Sequence, residues 1–343
     1  MIKVGIVGAT GMVGQRFVDL LRDHPWFETT TFTTSERNVG KRYEEAVNWF
    51  FDSDIPDNAR DIVCKPTTVN SFEDVDLVFS AIPGNVASTL EFEIAGSGIP
   101  VFSNVGVNRM EEDVPLVVPE INSDHLQLID RQKEERGIDG YVVTNPNCST
   151  IILTLALKPL MDFGLKKVTV ATMQSISGAG YAGVPSMVIL DNIVPYISNE
   201  EDKVETEPQK ILGTLKDGKI DHAKIDISAT CTRVPVIYGH TMSAWAEMER
   251  DVTLEDLKDA FINFKQPLSS PSAPDTVVRV MDDPFRPQPR LDANRGNGMT
   301  VSVGRLTKLE KTLRFVVTGH NTIRGASGAS ILNAEFLKVQ GDL

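Results

Sequence analysis

The sequence predicts a doubly wound α/β domain with a mostly parallel sheet, followed by an α+β domain with a mixed sheet. The first domain is indicated by its opening segment: an apolar run at residues 2–7 ends at Gly8, and helical spacing of apolar side chains begins at residue 15. Strand, glycine turn and helix in this order are typical of the Rossmann-type fold. After about residue 148 the pattern changes to longer strand-like segments, which indicates a second domain of a different class.

The remaining strands of the first domain alternate with helical or loop segments, the arrangement that a parallel sheet requires. They are predicted at residues 29–34, 61–64, 77–81, 100–103 and 141–144. In the second domain a helix is predicted at 150–161, strands at 167–176, 224–237 and 241–249, and a hairpin-like pair at 299–308 and 312–318.

Two later segments need a separate interpretation. Residues 266–289 contain six prolines, so they are predicted to form an extended loop or arm outside the core. Residues 325–339 have helical spacing and are expected to return to the first domain. The predicted organisation is therefore a first domain at 1–147, joined by a C-terminal helix at 324–343, and a second domain at 148–323.

Composition excludes several classes of partner. The chain has 343 residues and a formal net charge of −13, with no dense Lys/Arg cluster, so neither nucleic acid nor a membrane is an expected partner. The N-terminus has no signal-like segment and no run of about 18 apolar residues follows, so a cytoplasmic location is expected. The three cysteines, Cys64, Cys148 and Cys231, fit neither a disulfide framework nor a metal-binding pair. Reduced thiols and no metal are expected.

A glycine-rich turn lies between the first strand and the first helix. Glycines at 8, 11 and 14 permit a tight turn and close approach of the backbone to a pyrophosphate at the helix N-terminus. An ordinary strand–helix turn is the alternative. The cofactor-binding residues predicted here are Gly8, Thr10, Gly11, Met12, Val13 and Gly14.

The end of the second strand indicates which nicotinamide cofactor is bound. Ser35 and Arg37 can bind the 2′-phosphate of NADP, and Lys41 lies near them. Glu36 is the counter-argument, because an acidic residue holds the ribose of NAD. We expect NADP.

Cys148 precedes an apolar helix, so its thiol is expected at or beside the helix N-terminus. The helix dipole and the free N–H groups there favour thiolate and can bind a developing oxyanion. Cys148 is therefore a candidate nucleophile, although any buried cysteine is more often inert packing.

His240 and Arg233 share one segment with Pro235 and Gly239. A histidine near the thiol can take its proton and later return one. The two residues are seven apart, so the period of a regular strand places them on opposite faces. If both face one pocket, Pro235 or Gly239 must break the strand; otherwise His240 is a structural histidine.

The loop at residues 174–180 consists of small side chains after a strand, and it includes Ser177 and Gly178. Such a loop suits the close approach of a ligand such as a nicotinamide ribose, and these two residues are further cofactor candidates. A plain turn is the alternative.

Six motifs, in order, resemble those of the aspartate-β-semialdehyde dehydrogenase family, in its archaeal and fungal-like branch. They are GATGMVG at 8–14, SERNVGK at 35–41, NPNCST at 145–150, QSISGAG at 174–180, RVPVIYGH at 233–240 and NTIRGASG at 321–328. The resemblance spans essentially the whole chain. It implies reversible NADPH-dependent reductive dephosphorylation of L-aspartyl-4-phosphate to L-aspartate 4-semialdehyde, toward lysine, threonine, methionine and isoleucine. It also implies a homodimer or homotetramer formed through the second domain.

The resemblance implies a role for each matched residue of the second domain. Cys148 would be the nucleophile, His240 the general acid/base, and Gln174 the residue that orients the acyl-enzyme. Arg233 would pair bidentately with the substrate α-carboxylate, a geometry that lysine cannot copy.

Four further positions match the family more locally. Arg109 would hold the phosphate, Glu200 would contact the substrate amine, and Lys203 would contact the phosphate. Asn321 would lie near the nicotinamide.

Two other functions remain open on the sequence. A malonyl-CoA reductase of the same superfamily would share the fold, the cysteine and NADPH but act on a CoA thioester. A nicotinamide-binding redox sensor would use Cys148 as a regulatory thiol without turnover. Turnover with defined substrates separates the three.

Overall fold

The computed structural model describes residues 1–265 and 269–343. Six strands form the first sheet: β1 (Ile2–Val7), β2 (Phe27–Thr34), β3 (Lys65–Pro66), β4 (Leu77–Ser80), β5 (Val101–Ser103) and β6 (Val142–Thr144). Their order is β3-β2-β1-β4-β5-β6, and every pairing is parallel. The connecting helices are α1 (Met12–Leu20), α2 (Tyr43–Ala46), α3 (Asp57–Arg60), α4 (Gly84–Gly96), α5 (Pro119–Asn122) and α6 (Leu128–Arg136). This strand order confirms the predicted doubly wound fold.

The strand predicted at residues 61–64 is wrong. The third strand is the two-residue β3, Lys65–Pro66, which pairs with the end of β2. Val63 instead forms an isolated antiparallel bridge with Arg42. Val63 is about half exposed, so its β-branched side chain does not pack in the sheet, and the strand predicted from it is absent.

The second sheet is mixed, as predicted. Its strands are β7 (Leu165–Gln174), β10 (Asp226–Arg233), β11 (His240–Met248), β12 (Val278–Met281), β13 (Val301–Leu309) and β14 (Thr312–Gly319), in the order β10-β7-β11-β14-β13-β12. A separate hairpin consists of β8 (Thr214–Lys216) and β9 (Lys219–Asp221). The helices that follow β6 along the chain are α7 (Cys148–Leu157), α8 (Ser186–Ile189), α9 (Glu200–Ile211), α10 (Leu254–Asn263), α11 (Pro289–Asp292) and α12 (Gly328–Gln340).

Helix α7 is the centre of the second core. It is apolar on all sides, and such a helix must be buried. Ile151, Ile152 and Leu155 are fully buried in one cluster with Val168 of β7 and Phe315 of β14. The first residue of this rigid helix is Cys148, so the core fixes the position of the thiol.

The interpretation of residues 266–289 as a loop outside the core was partly wrong. Residues 266–268 lie outside the described part of the chain. Within the rest, β12 pairs in parallel with β13, and Val277 and Val278 are buried in the second core. A proline-free stretch between Pro274 and Pro284 allows this edge strand.

The C-terminal helix α12 packs on the first sheet. Ile331 and Leu337 share a buried cluster with Val4 and Phe17. A π-helical turn, Ile323–Ser327, connects the second sheet to this helix. The domain boundaries given above stay a prediction. In the part of the chain that the structure describes, no helix has the length and apolar character needed to cross a membrane.

Candidate active site

Three neighbouring strands bring Gln174, Arg233 and His240 to one end of the second sheet. Gln174 is the last residue of β7, and it pairs with Arg233, the last residue of β10. His240 is the first residue of β11, which runs antiparallel along the other side of β7. Arg233 and His240 therefore belong to two different strands. The alternation of a single strand, which would place them on opposite faces, does not apply.

Cys148 opens helix α7 directly beside these strand ends. Asn147 is the N-cap of the helix, and its Oδ1 accepts hydrogen bonds from the backbone N–H groups of Ser149 at 2.9 Å and Thr150 at 3.2 Å. Capping by asparagine stabilises a helix start by about 1 kcal/mol. The turn that presents the thiol is thus fixed by its own sequence.

The sulfur of Cys148 contacts the ring of His240. Sγ lies 3.1 Å from Nε2, and on the other side of the ring Nδ1 lies 3.1 Å from the backbone N and 3.0 Å from Oγ of Ser175. A backbone N–H only donates, so Nδ1 must be the unprotonated nitrogen. A neutral His240 therefore carries its proton on Nε2 and presents an N–H to the sulfur.

Burial sets the charge of this pair. Desolvation, together with Arg233 and His320, lowers the pKa of His240 to about 3. Desolvation and the nearby Glu200 raise the pKa of the Cys148 thiol to about 12, against the opposing effect of Arg233 and Arg109. At neutral pH the pair is a thiol and a neutral imidazole, and additional positive charge at the site favours the thiolate.

Glu200 connects the cysteine turn to β7. Its Oε1 accepts hydrogen bonds from Nδ2 of Asn147 at 3.0 Å and Nε2 of Gln174 at 3.1 Å. The same Gln174 nitrogen also donates to Oγ of Ser149. Lys203, one turn along α9, forms an ion pair with Oε2 of Glu200 at 3.5 Å and is partly exposed. Glu200 and Lys203 thus lie in the same cluster as Cys148 and Gln174.

Arg233 is buried beside the loop that follows β7. Its Nη1 donates to the backbone carbonyl of Ser175 at 2.8 Å. Gly178 packs against it, since a Cβ there would lie 2.8 Å from Nη1 of Arg233 and 3.2 Å from Cε1 of His240. The loop therefore approaches both side chains as closely as the sequence suggested.

Arg109 reaches the cluster through a carboxylate and not directly. Its Nη1 donates to Oε1 of Glu207 at 2.8 Å, and Nη2 donates to the carbonyl of Asn104 at 2.9 Å. Glu207 in turn accepts a hydrogen bond from the backbone N–H of Asn147 at 2.7 Å. Arg109 is thus linked to the residue immediately before Cys148.

The glycine turn lies at the carboxyl end of β1. The N–H groups of Gly8 and Ala9 donate to the carbonyl of Thr33 at 3.1 Å each, which places the turn beside the end of β2. A Cβ at Gly14 would lie 2.2 Å from the carbonyl oxygen of Gly8, so only glycine permits this packing.

The other cofactor candidates divide into two groups. Met12 is buried, Thr10 and Val13 lie in or beside the glycine turn, and Ser35 and Arg37 are exposed at the end of β2. Asn321 and Ser177 lie in the second group, next to the catalytic candidates: Nδ2 of Asn321 donates to Oγ of Ser177 at 2.8 Å. Oδ1 of Asn321 accepts the N–H of Gly239 at 3.0 Å.

Sequence reasoning missed four members of this network: Asn147, Ser149, Ser175 and Glu207. Glu207 had a detectable signal, because it follows Glu200 by seven residues and so lies on the same helix face. Asn147 also had one, because asparagine directly before an apolar helical segment is a typical N-cap. The contacts of Ser149 and Ser175 are set by packing between separate strands and helices. Among residues 1–265 and 269–343, no three His, Cys, Asp or Glu side chains are grouped to hold a metal ion.

The buried histidines predict acid sensitivity. His240 and His320 both have a pKa lowered to about 3, mainly by desolvation. In the unfolded chain each binds a proton near pH 6.5. Between pH 6.5 and 3 the unfolded state therefore binds more protons, so the free energy of unfolding falls as the pH falls through this window, by up to about 1.4 kcal/mol per pH unit for each histidine.

Urea denaturation followed by fluorescence between pH 7.5 and 4.5 measures this effect. His240→Gln is expected to reduce the slope of the unfolding free energy against pH by about 1.4 kcal/mol per pH unit, the contribution of one proton. Equal slopes for the two proteins would show that His240 already binds its proton in the folded state.

Comparisons with known proteins agree with this architecture. Residues 3–129 match the family model for the semialdehyde dehydrogenase NAD binding domain, and residues 157–324 match the semialdehyde dehydrogenase dimerisation domain. Aspartate-semialdehyde dehydrogenase from Archaeoglobus fulgidus is 54% identical over 98% of this chain and 97% of its own length. The enzyme from Aspergillus fumigatus is 44% identical over 99% of this chain and 98% of its own length.

A solved structure extends the similarity to three dimensions. The crystal structure of aspartate semialdehyde dehydrogenase with NADP from Candida albicans matches with a TM-score of 0.92 and 40% identity, and covers 100% of both chains. The predicted family resemblance, including its archaeal and fungal members, is confirmed. The chain belongs to the aspartate-semialdehyde dehydrogenase family.

Proposed function

We propose that this protein catalyses the reversible NADPH-dependent reductive dephosphorylation of L-aspartyl-4-phosphate to L-aspartate 4-semialdehyde, in the biosynthesis of lysine, threonine, methionine and isoleucine. The observation that carries the proposal is the 3.1 Å contact between Sγ of Cys148 and Nε2 of His240, beside the buried Arg233. A thiol, a ring N–H and a guanidinium at one strand end suit acyl transfer to sulfur from a substrate with a carboxylate. Full-length relatives with this activity in their names support it.

The residues of the first domain fit NADP. The glycine turn leaves no space for a side chain at Gly14, and it precedes the N-terminus of α1, where backbone N–H groups bind pyrophosphate. Ser35 and Arg37 are exposed at the end of β2, as binding of a 2′-phosphate requires. Ser177, Gly178 and Asn321 lie away from the glycine turn, near His240, and would face the nicotinamide. When bound, NADPH supplies the hydride that reduces the acyl group.

The cysteine carries the acyl group. The thiol of Cys148 gives its proton to a phosphate oxygen of the substrate, and the resulting thiolate attacks the carbonyl carbon of the acyl phosphate. The C–O bond to phosphate then breaks, and a thioester forms. Arg233 holds the α-carboxylate and Glu200 the amine, while Arg109 and Lys203 neutralise the leaving phosphate. The N–H groups of Ser149 and Thr150 are already bound to Oδ1 of Asn147, so the backbone N–H of Cys148 is the donor at the start of α7 that we assign to the oxyanion. After reduction the hemithioacetal collapses to the aldehyde and releases the thiolate.

His240 acts in this scheme as a hydrogen-bond donor. The N–H of Ser175 occupies Nδ1, so Nε2–H is the group that faces the sulfur. A donor at this point stabilises both the attacking thiolate and the thiolate that leaves when the hemithioacetal collapses. The reduction needs no proton from the ring, because the two steps consume and regenerate the same thiolate.

We also propose that the protein is a homodimer or homotetramer in the cytoplasm. Its second domain matches a dimerisation domain. Large apolar side chains are exposed on this domain, and such patches are typical of interfaces. They include Met173, Tyr181, Met187, Leu190, Ile193, Tyr196 and Trp245.

Steady-state turnover tests the proposed reaction. The purified protein should reduce NADP in the presence of aspartate semialdehyde, and the rate should depend on added phosphate and be lower with NAD. NADPH oxidation with malonyl-CoA, and no reaction with the semialdehyde, would instead identify a malonyl-CoA reductase. No turnover with either pair would favour a redox sensor.

A further inference from the structure

Helix α9 carries four charged residues on the face that lies beside the cysteine turn and the loop that contains Arg109. Glu200, Lys203, Glu207 and Lys210 are spaced by three, four and three residues, so they lie on one face of the helix. Glu200, Glu207 and Lys210 are each at least nine-tenths buried. Buried charges persist only where specific partners hold them, so the partners of Glu207 and Lys210 indicate what this face does.

Glu207 joins two separate parts of the site. Its Oε1 accepts a hydrogen bond from Nη1 of Arg109 at 2.8 Å, and its Oε2 accepts one from the backbone N–H of Asn147 at 2.7 Å. Glu207 is 2% exposed. One rigid group therefore fixes the distance between the guanidinium of Arg109 and the turn that presents Cys148.

Lys210 holds the backbone that carries Arg109. Its Nζ donates to the carbonyl oxygens of Arg109 at 2.8 Å, Glu111 at 2.7 Å and Val114 at 2.8 Å. Three carbonyl acceptors match the three donors of an ammonium group. The loop is thus fixed by α9 at its backbone, and the Arg109 side chain is fixed by α9 at its guanidinium.

We propose that Glu207 is a positioning residue that aligns the phosphate-binding arginine with the nucleophile. This inference rests on the proposed function, which assigns the phosphate to Arg109. Arg109 keeps donors for an anion, because Nη1 and Nη2 each carry a second N–H besides the one bound to Glu207 or Asn104. Without Glu207 the guanidinium loses the bond that orients it, and the N–H of Asn147 loses its acceptor.

Glu207→Gln tests the proposal with Glu205→Gln as its matched control. Glutamine offers one acceptor oxygen, so its NH₂ group faces either Nη1 of Arg109 or the N–H of Asn147, both of which are donors. Glu205 lies on the same helix and its carboxylate accepts one backbone N–H, that of Ala229, at 2.8 Å. Both substitutions remove one negative charge from α9, but only the first touches the site.

The readout is the initial rate of NADP reduction at varied phosphate and saturating aspartate semialdehyde. We expect Glu207→Gln to raise the KM for phosphate about tenfold or more and to lower kcat, with the KM for NADP unchanged. Glu205→Gln should change neither constant more than about twofold. If Glu207→Gln does not fold, Glu207→Asp keeps the charge and should show the same phosphate-specific increase.

Unchanged phosphate KM in the folded Glu207 variant, or an equal change in the Glu205 variant, would overturn the proposal. A loss of thermal stability alone would mean that Glu207 is structural. Failure of the wild-type protein to reduce NADP with semialdehyde and phosphate would instead refute the proposed function, so the two failures are distinguishable.

Discussion

Replacement of Cys148 by serine is expected to lower kcat for phosphate-dependent NADP reduction by at least about a thousandfold. A hydroxyl is a weak nucleophile unless a base removes its proton. The nearest ring nitrogen cannot do so, because Ser175 occupies Nδ1 and leaves Nε2 protonated toward position 148. Serine would therefore face a donor and remain un-ionised. The KM for NADP should change little, since the glycine turn lies on a separate sheet.

Cys231→Ala is the control for this substitution. Cys231 is also buried, but it packs in the second core, and its loss should lower stability and leave kcat within about threefold. Mass spectrometry of the acyl-enzyme gives an independent readout: the adduct should form on the wild type and on Cys231→Ala. Full activity of Cys148→Ser would show that Cys148 is not the nucleophile.

Local sequence was sufficient for five of the six strands of the first sheet and for the placement of Cys148. The glycine turn, the alternation of strands and helices, and an apolar segment after Asn147 each depend on residues close in the chain. The strand order β3-β2-β1-β4-β5-β6 is the doubly wound order of two such strand–helix units.

The geometry between distant segments could not be predicted in the same way. The alternation argument left it undecided whether Arg233 and His240 face one pocket, because it assumed a single strand. The structure separates them onto β10 and β11, which flank β7, so their relation depends on sheet order. Similarly, Glu207 and Asn147 are 60 positions apart, and their contact depends on how α9 packs against α7. The edge strand β12 was missed because the prolines around it dominated the local pattern.

Gly325→Ala is expected to lower kcat by at least about a hundredfold without unfolding the protein. A Cβ at this position would lie 2.7 Å from Cβ and 3.0 Å from Cα of Cys148, closer than such atoms approach. Neither atom belongs to a flexible side-chain end, so either the start of α7 or the π-helical turn must move. A displacement of about 1 Å at a reacting group costs about a hundredfold in rate.

The matched control for this substitution is Gly96→Ala, in the last turn of α4. Its added Cβ would meet only Ile138 at 3.8 Å, and alanine has the higher helix propensity, so kcat should be unchanged and the thermal midpoint equal or higher. The alkylation rate of Cys148 by iodoacetamide reports on the thiol separately from turnover, and it should change in Gly325→Ala alone. If Gly325→Ala keeps both its kcat and its alkylation rate, the π-helical turn does not constrain the nucleophile. A changed alkylation rate with a normal thermal midpoint would locate the constraint in this one backbone contact, because the helix core beneath Cys148 would then be intact.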